Sequence, residues 1–291
     1  SAPVVSAVTA TGYVITNNGV SNTVTVDTPT SALLKVNNVQ VKNAAGDPVY
    51  LFVGKADSNS FTFSELLTAP NTAANTAALL FGVDGDDSMA GGNLSDTLVG
   101  GNGTDTLVGG DGDDFLYGGG GINAVKDQRL PAAEDILTGG LGSDKFVFTT
   151  AATSVGVKPN PDDATFFLPL NLARITDFQS GSDKIALTAG GPGALLKGIT
   201  LSPTTTFNLV PTGATNPLFN KVFEQFEFMY RNLEQFVTAS ELPASTSASV
   251  VARLFTADTD GGLGRNFLVI NDDQAGFQAS TDLLVLLGAF T

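Results

Sequence analysis

Residues 82–117 read GVDGDDSMA, GGNLSDTLV, GGNGTDTLV and GGDGDDFLY, which are four consecutive segments of nine residues. Each segment has Asp at position six and an apolar residue at position eight. A degenerate fifth copy begins at Gly118, and a sixth, GGLGSDKFV, begins at Gly139 after an insertion in the chain. A fixed short period predicts a repeat architecture in which each unit stacks on its neighbours.

Within each segment, positions one to six have the composition of a tight turn, and positions seven to nine that of a short strand. Glycine supplies the backbone angles that such turns require. One apolar residue per strand cannot form a core alone, but stacked turns of a parallel roll bury it against its neighbours. The position-eight residues of this ladder are Met89, Leu98, Leu107, Leu116 and Phe146.

Position six carries a carboxylate at Asp87, Asp96, Asp105, Asp114 and Asp144, with Asn123 in the degenerate copy. One coil of the roll takes two segments, which predicts that Asp87 stacks on Asp105 and Asp96 on Asp114. Carboxylates stacked every ~4.8 Å repel each other unless a cation lies between them. Calcium, which takes six to eight oxygen ligands, suits turn carbonyls and Asp side chains.

The sequence therefore predicts several calcium ions in the turns. Residues 82–144 hold 12 acids against 2 bases, and Asp135-Ile136-Leu137 resumes the pattern after the insertion. Besides the five position-six residues, the candidate ligands in this stretch are Asp84, Asp111, Asp113, Asp135, Gly92, Gly101, Gly103, Gly110 and Gly112.

The pattern GGxGxDxUx resembles the RTX (repeats-in-toxin) calcium-binding repeat. The resemblance implies a right-handed parallel β-roll with calcium in its turns, and export of the unfolded chain by a type I system. Three departures from the pattern are Leu94 in place of the fourth-position Gly, Asn123 in place of Asp, and the insertion. A flexible Gly- and Asp-rich linker is the alternative, and the regular period argues against it.

We expect a mainly all-β chain with three parts: an N-terminal β-sandwich-like module (1–81), the roll (82–148) and a C-terminal β-rich module (149–291). In the first part, apolar residues alternate with polar ones at the strand period, as in Val49, Leu51 and Val53. In the third part, the apolar spacing within residues 220–238 predicts one short helix.

Residues 175–187 are similar to the strand-turn-strand that follows RTX repeats in secreted proteins. Asp177 and Asp183 in this segment are candidates for a further calcium site, and an ordinary hairpin is the alternative. Residues 267–290 resemble the C-terminal segments of bacterial RTX surface proteins. Their apolar end is compatible with an uncleaved secretion signal, although a final core strand explains the same residues.

The composition excludes several classes of function. The chain has no His and no Cys, so it lacks a Ser-His-Asp triad, a His-ligated zinc and a disulfide framework. Its net charge of −15 argues against nucleic acid as a partner. No apolar run is long enough to span a membrane. The first residues resemble no secretory signal, so we expect export without an N-terminal signal peptide.

We therefore expect a non-enzymatic, secreted, calcium-dependent structural protein that assembles with itself outside the bacterial cell, as an S-layer or as a filament of the biofilm matrix. The alternative is an RTX adhesin or carbohydrate-binding surface protein, for which cell-surface polysaccharide is the candidate partner. A secreted RTX enzyme is less favoured, because the stretch before the roll is short for a catalytic domain. The composition does not exclude an enzyme that uses a catalytic pair of carboxylates, such as a glycosidase or lyase.

Overall fold

The computed structural model describes residues 4–9, 12–17, 20–25, 34–42, 47–54, 57–66, 72, 74–119, 135–149, 156–160, 163–170, 173–179, 181–188, 205–207, 239–240, 242–246, 250–257, 265–276 and 282–290. The structure is nearly all β with parallel sheets, which confirms the predicted all-β class and the β-roll. It divides into two compact units, Ser1–Gly121 with Asp135–Val147, and Ile122–Glu134 with Phe148–Thr291.

The first unit contains the roll and the strands before it. Its elements are β1 (Val4–Thr9), β2 (Gly12–Asn17), β3 (Val20–Thr25), β4 (Leu34–Lys42), β5 (Pro48–Val53), β6 (Ser60–Thr62), α1 (Phe63–Leu66), β7 (Ala77–Asp84), β8 (Ser88–Ala90), β9 (Thr97–Asn102), β10 (Thr106–Asp111), β11 (Phe115–Gly119), β12 (Ile136–Leu141) and β13 (Lys145–Thr149). One sheet has the order β13-β11-β9-β7-β5-β4-β1-β2-β3 and the other has the order β12-β10-β8-β6.

Neighbouring strands of the roll pair in parallel and lie two segments apart in the sequence. In one sheet Leu80 lies opposite Leu98, and Leu98 lies opposite Leu116. In the other sheet Met89 lies opposite Leu107. These five side chains are at most 1% exposed. Phe146 lies opposite Leu116 and is also buried, so the predicted ladder of Met89, Leu98, Leu107, Leu116 and Phe146 is confirmed, and Leu80 extends it. The predicted coil of two segments is confirmed.

The roll also contains a turn that precedes the first recognisable repeat. β6 pairs in parallel with β8, so that Phe61 lies opposite Met89. Gly54 donates its N–H to the Phe81 carbonyl at 2.6 Å and lies against the backbone of Gly82. The described residues of 54–62, GKADSNSFT, therefore match positions of a nine-residue segment, with Gly54 at position one, Asn59 at position six and Phe61 at position eight.

The strands before this turn extend one sheet of the roll. β5 pairs in parallel with β7, β4 pairs antiparallel with β5, and β1, β2 and β3 continue outward from β4. The described strands of residues 4–53 thus share a sheet with the roll, and strand pairing crosses residue 82. The three-part division at residues 82 and 149 stays a prediction.

The second unit is also built from strands. They are β14 (Gly156–Asn160), β15 (Asp163–Leu170), β16 (Arg174–Phe178), β17 (Lys184–Thr188), β18 (Thr205–Phe207), β19 (Ala252–Ala257), β20 (Arg265–Ile270) and β21 (Leu283–Phe290). β19, β20, β21 and β16 are neighbours in that order, and β14 pairs with β15 and β17 with β18. The helix predicted within residues 220–238 lies outside the described residues. In the described part of the chain, no helix has the length and apolarity to cross a membrane.

Candidate metal centre

The position-six aspartates lie buried in the turns of the roll and are stacked on one another. Asp87 donates its N–H to Asp105 Oδ1 at 2.9 Å, and Asp96 donates its N–H to Asp114 Oδ1 at 2.7 Å. All four of these residues are at most 2% exposed. The predicted pairing of aspartates two segments apart is therefore confirmed. In each pair, one carboxylate oxygen of the later residue accepts a hydrogen bond from the backbone N–H of the earlier residue.

The insertion moves the sixth position of the degenerate copy to Asp135. Asp105 donates its N–H to Asp135 Oδ1 at 3.0 Å, in the same way as in the other turns. Asp135 is 4% exposed and its Oδ2 lies beside Gly118, the first residue of that copy. Assigning Asn123 to position six was wrong, because the chain inserts its extra residues before the sixth position. Asn123 itself lies outside the described residues.

The second carboxylate oxygen of three position-six residues has no hydrogen-bond partner. These atoms are Oδ2 of Asp87, Asp105 and Asp114, and each has almost no exposure to water. A buried polar atom without a partner is costly, and a buried carboxylate oxygen more so. Three equivalent oxygens in successive turns therefore indicate positions where a positive ligand binds.

Each of these oxygens lies close against the position-one glycine of its own segment. A Cβ atom on Gly100 would overlap both Asp105 Oδ2 and the carbonyl oxygen of Gly118, at distances below 3.0 Å. We call the pair of oxygens that approach this glycine, one from the position-six carboxylate and one from the position-one carbonyl of the next coil, a cradle. The four cradles in the described residues pair Asp87 with Gly100, Asp96 with Gly109, Asp105 with Gly118, and Asp114 with Gly139.

Burial raises the pKa values of the stacked carboxyl groups. Loss of water contact is the main cause, and it raises the pKa of Asp105 to about 8 and that of Asp114 to about 9. The same cause raises the pKa values of Asp96 and Asp135 to about 6, and it raises the pKa of Asp87 above the ordinary value of 3.8. Without a cation, ionised carboxylates are therefore disfavoured in these turns.

The oxygen atoms of the cradles fit calcium. Among the described residues, no three acidic side chains gather at one point, so each cradle offers one carboxylate and one backbone carbonyl oxygen. Calcium accepts such mixed oxygen ligands, and its charge offsets the carboxylate that burial otherwise destabilises. A bound calcium ion would hold adjacent coils together through Asp87, Asp105, Asp114 and the paired glycine carbonyls.

The glycines at positions two and four allow the turns to stack closely. Gly101, Gly103, Gly110 and Gly112 all have φ values between 115° and 138°, a region that residues with a Cβ rarely adopt. A Cβ on Gly110 would overlap the carbonyl oxygen of Gly92 in the coil below. The structure thus assigns these glycines a packing role, and their role as carbonyl ligands stays a prediction.

The acids at positions three and five make hydrogen bonds between coils at the outer side of the turns. Asp84 Oδ1 accepts the side-chain N–H of Asn102 at 2.7 Å, and Asp111 Oδ2 accepts that of Asn93 at 3.2 Å. Asp113 Oδ1 accepts the N–H of Ser143 at 2.8 Å. Their role as calcium ligands stays a prediction.

A ladder at position five was missed by the sequence analysis. Besides the bond at Asp113, Asp86 Oδ1 accepts the N–H of Thr104 at 2.9 Å, and Ser58 Oγ accepts the N–H of Asp86 at 3.0 Å. The signal was present in the sequence, because residues 86, 95, 104, 113 and 143 are all Asp, Ser or Thr. Short side chains with an oxygen at this position tie each turn to the next coil.

In the second unit, Asp177 and Asp183 lie on either side of a tight turn. Asp183 is 3% exposed, and its Oδ2 accepts the N–H of Gln179 at 2.8 Å. Gly181 in the same turn has a φ of 94°. Asp177 lies half-buried on β16. The structure shows the predicted strand-turn-strand and gives Asp183 a hydrogen bond within the turn. A calcium ion at these two residues stays a prediction.

Comparison with known proteins agrees with the geometry of the turns. Residues 90–125 match the family model of the RTX calcium-binding nonapeptide repeat, in four copies. A search of curated proteins gives no match to the chain. RTX calcium-binding repeats are thus present in the centre of the roll, and they indicate a calcium-binding, secreted protein.

Proposed function

We propose that this chain is a secreted structural protein that folds with calcium and assembles with itself outside the bacterial cell, as an S-layer or a matrix filament. The observation that carries the calcium part is the row of buried Oδ2 atoms of Asp87, Asp105 and Asp114, which lack hydrogen-bond partners. In this function the protein catalyses no reaction, and a type I system exports the unfolded chain.

Calcium availability provides the switch in this proposal. Extracellular calcium modules bind with Kd values of about 10⁻⁴ to 10⁻³ M. At a calcium concentration of 100 times Kd, each site adds about 2.7 kcal/mol to the stability of the folded state. The cytosolic calcium concentration lies far below such a Kd, so calcium would add almost nothing to the stability of the folded roll there. The chain would then stay export-competent inside the cell and fold outside it.

The strands that end the sheet orders of the described residues support the self-assembly part of the proposal. In the first unit, β3 ends one sheet order and β6 ends the other. In the second unit, β19 ends the order β19-β20-β21-β16. Strands at sheet ends have backbone groups that pair readily with a strand from another chain. Such pairing between copies would join subunits without a catalytic or ligand-binding pocket.

The test is to compare the full chain in chelator and in millimolar calcium by light scattering and negative-stain electron microscopy. We expect monomers in chelator and ordered sheets or filaments in calcium. A chain that binds calcium and folds but stays monomeric at high concentration would contradict self-assembly. Binding of that monomer to cell-surface polysaccharide would instead support the adhesin alternative.

A further inference from the structure

One turn of the roll has a different backbone from its neighbours. In the turn formed by residues 91–96, position four is Leu94, where the copies that begin at residues 82, 100, 109 and 139 have Gly. Gly85, Gly103, Gly112 and Gly142 at this position all have φ values between 106° and 141°. Leu94 does not adopt a positive φ, and neither does Gly92 at position two. A leucine disfavours the left-handed region because its Cβ approaches the backbone.

The altered backbone changes the hydrogen bonding of Asp96. Gly92 donates its N–H to Asp96 Oδ2, and Ala78 donates its N–H to Asp96 Oδ1 at 2.6 Å. Both carboxylate oxygens of this residue therefore accept hydrogen bonds from backbone amides. Asp105 differs, because its Oδ1 accepts the N–H of Asp87 while its Oδ2 has no hydrogen-bond partner.

We propose that the turn 91–96 is a calcium-free turn, in which the Gly92 amide takes the place of a cation at Asp96 Oδ2. Leu94 determines this, because it prevents the backbone path that the glycine-containing turns follow. Calcium then occupies the cradles of Asp87, Asp105 and Asp114 and leaves that of Asp96 vacant. The two edges of the roll would consequently bind different numbers of ions.

This inference rests on the proposed calcium-binding function and deepens it. The cradle beside Gly91 still contains the carbonyl oxygen of Gly109, as the other cradles contain their position-one carbonyls. What it lacks is a carboxylate oxygen that is free of hydrogen bonds. Restoring glycine at position 94 should release the Gly92 amide and make Asp96 Oδ2 available to a metal ion.

The experiment counts calcium ions bound to the full chain by isothermal titration and by metal analysis after dialysis. We expect Leu94→Gly to bind one more ion per chain than the wild type. Leu141→Gly is the matched control, since Leu141 is 67% exposed and lies at position three of the last copy. This control should leave the number of ions unchanged.

A second pair of variants tests the inference without changing residue 94. Asp96→Asn should bind as many ions as the wild type, whereas Asp105→Asn should bind one fewer. The inference is overturned if Leu94→Gly folds without gaining an ion, or if Asp96→Asn loses one. A wild-type chain that binds no calcium at all would instead overturn the proposed function, so the two failures are distinguishable.

Discussion

Replacing Asp105 by Asn tests whether the buried carboxylates destabilise the roll in the absence of calcium. Asp105 is fully buried, and its Oδ1 accepts the N–H of Asp87 at 2.9 Å. Asn keeps an oxygen for this hydrogen bond and removes the charge. Its amide nitrogen can also donate to the carbonyl of Gly118, which lies in the same cradle. We therefore expect Asp105→Asn to be more stable than the wild type in chelator.

The pKa of Asp105 sets the size of this effect. Burial raises that pKa from 3.8 to about 8. At about pH 7 the unfolded chain is ionised at this residue while the folded chain keeps the proton. Folding must therefore add a proton to a group whose unfolded-state pKa lies about three units below the pH. At about 1.4 kcal/mol per unit, this costs the folded wild type at most about 4 kcal/mol. In calcium, the stabilisation that the metal adds should be smaller in the variant by about 2.7 kcal/mol, the contribution of one site at 100 times Kd.

The assay is urea unfolding of the full chain at neutral pH, followed by far-ultraviolet circular dichroism, in chelator and in about 10 mM calcium, which is 100 times a Kd of about 10⁻⁴ M. Asp273→Asn is the control, because Asp273 is exposed and lies in the second unit. It should change stability little in either solution. An Asp105→Asn variant that is less stable than the wild type in chelator would refute the reasoning. An unchanged calcium increment would refute it equally.

Three further predictions concern pH, backbone strain and the apolar ladder. The folded-state pKa values of Asp105 and Asp114 are raised to about 8 and 9. The melting temperature in chelator should therefore fall as pH rises from about 5 to about 9, and a rise in melting temperature would contradict these pKa shifts. Val83 has a φ of 90°, so Val83→Gly should stabilise the protein by about 1 kcal/mol in urea unfolding, and a loss of stability would contradict the strain. Leu116→Ala should lower the free energy of unfolding by about 2 to 5 kcal/mol. Val108→Ala should lower it far less, because the Val108 side chain is 37% exposed, and equal losses would contradict the apolar ladder.

The sequence predicted the roll well because its spacing is set by strand stacking. A period of nine residues with one apolar position predicts that Leu116 lies between Leu98 and Phe146, and the strand register shows this arrangement. The same spacing predicted the stacking of the position-six aspartates. Periodicity determines which residues lie opposite each other, so these features follow from counting along the chain.

Other features could not be read from spacing alone. The turn 54–62 was missed because it keeps few of the motif residues and is separated from its partner turn by more than two segments. Asp135 was predicted to resume the pattern, but Asn123 was also placed at position six of the same copy, and spacing could not decide between them across the insertion. The hydrogen bonding of Asp96 in the turn 91–96 depends on which backbone N–H reaches its carboxylate oxygen. The sequence showed only that Leu94 departs from the repeat pattern.

The most direct test of the account is a crystal structure of the full chain grown in millimolar calcium, with anomalous scattering used to locate the metal. The account predicts calcium peaks within bonding distance, about 2.3 to 2.6 Å, of Oδ2 of Asp87, Asp105 and Asp114. Turns without metal at these three aspartates, with each Oδ2 hydrogen-bonded to a backbone amide, would contradict it.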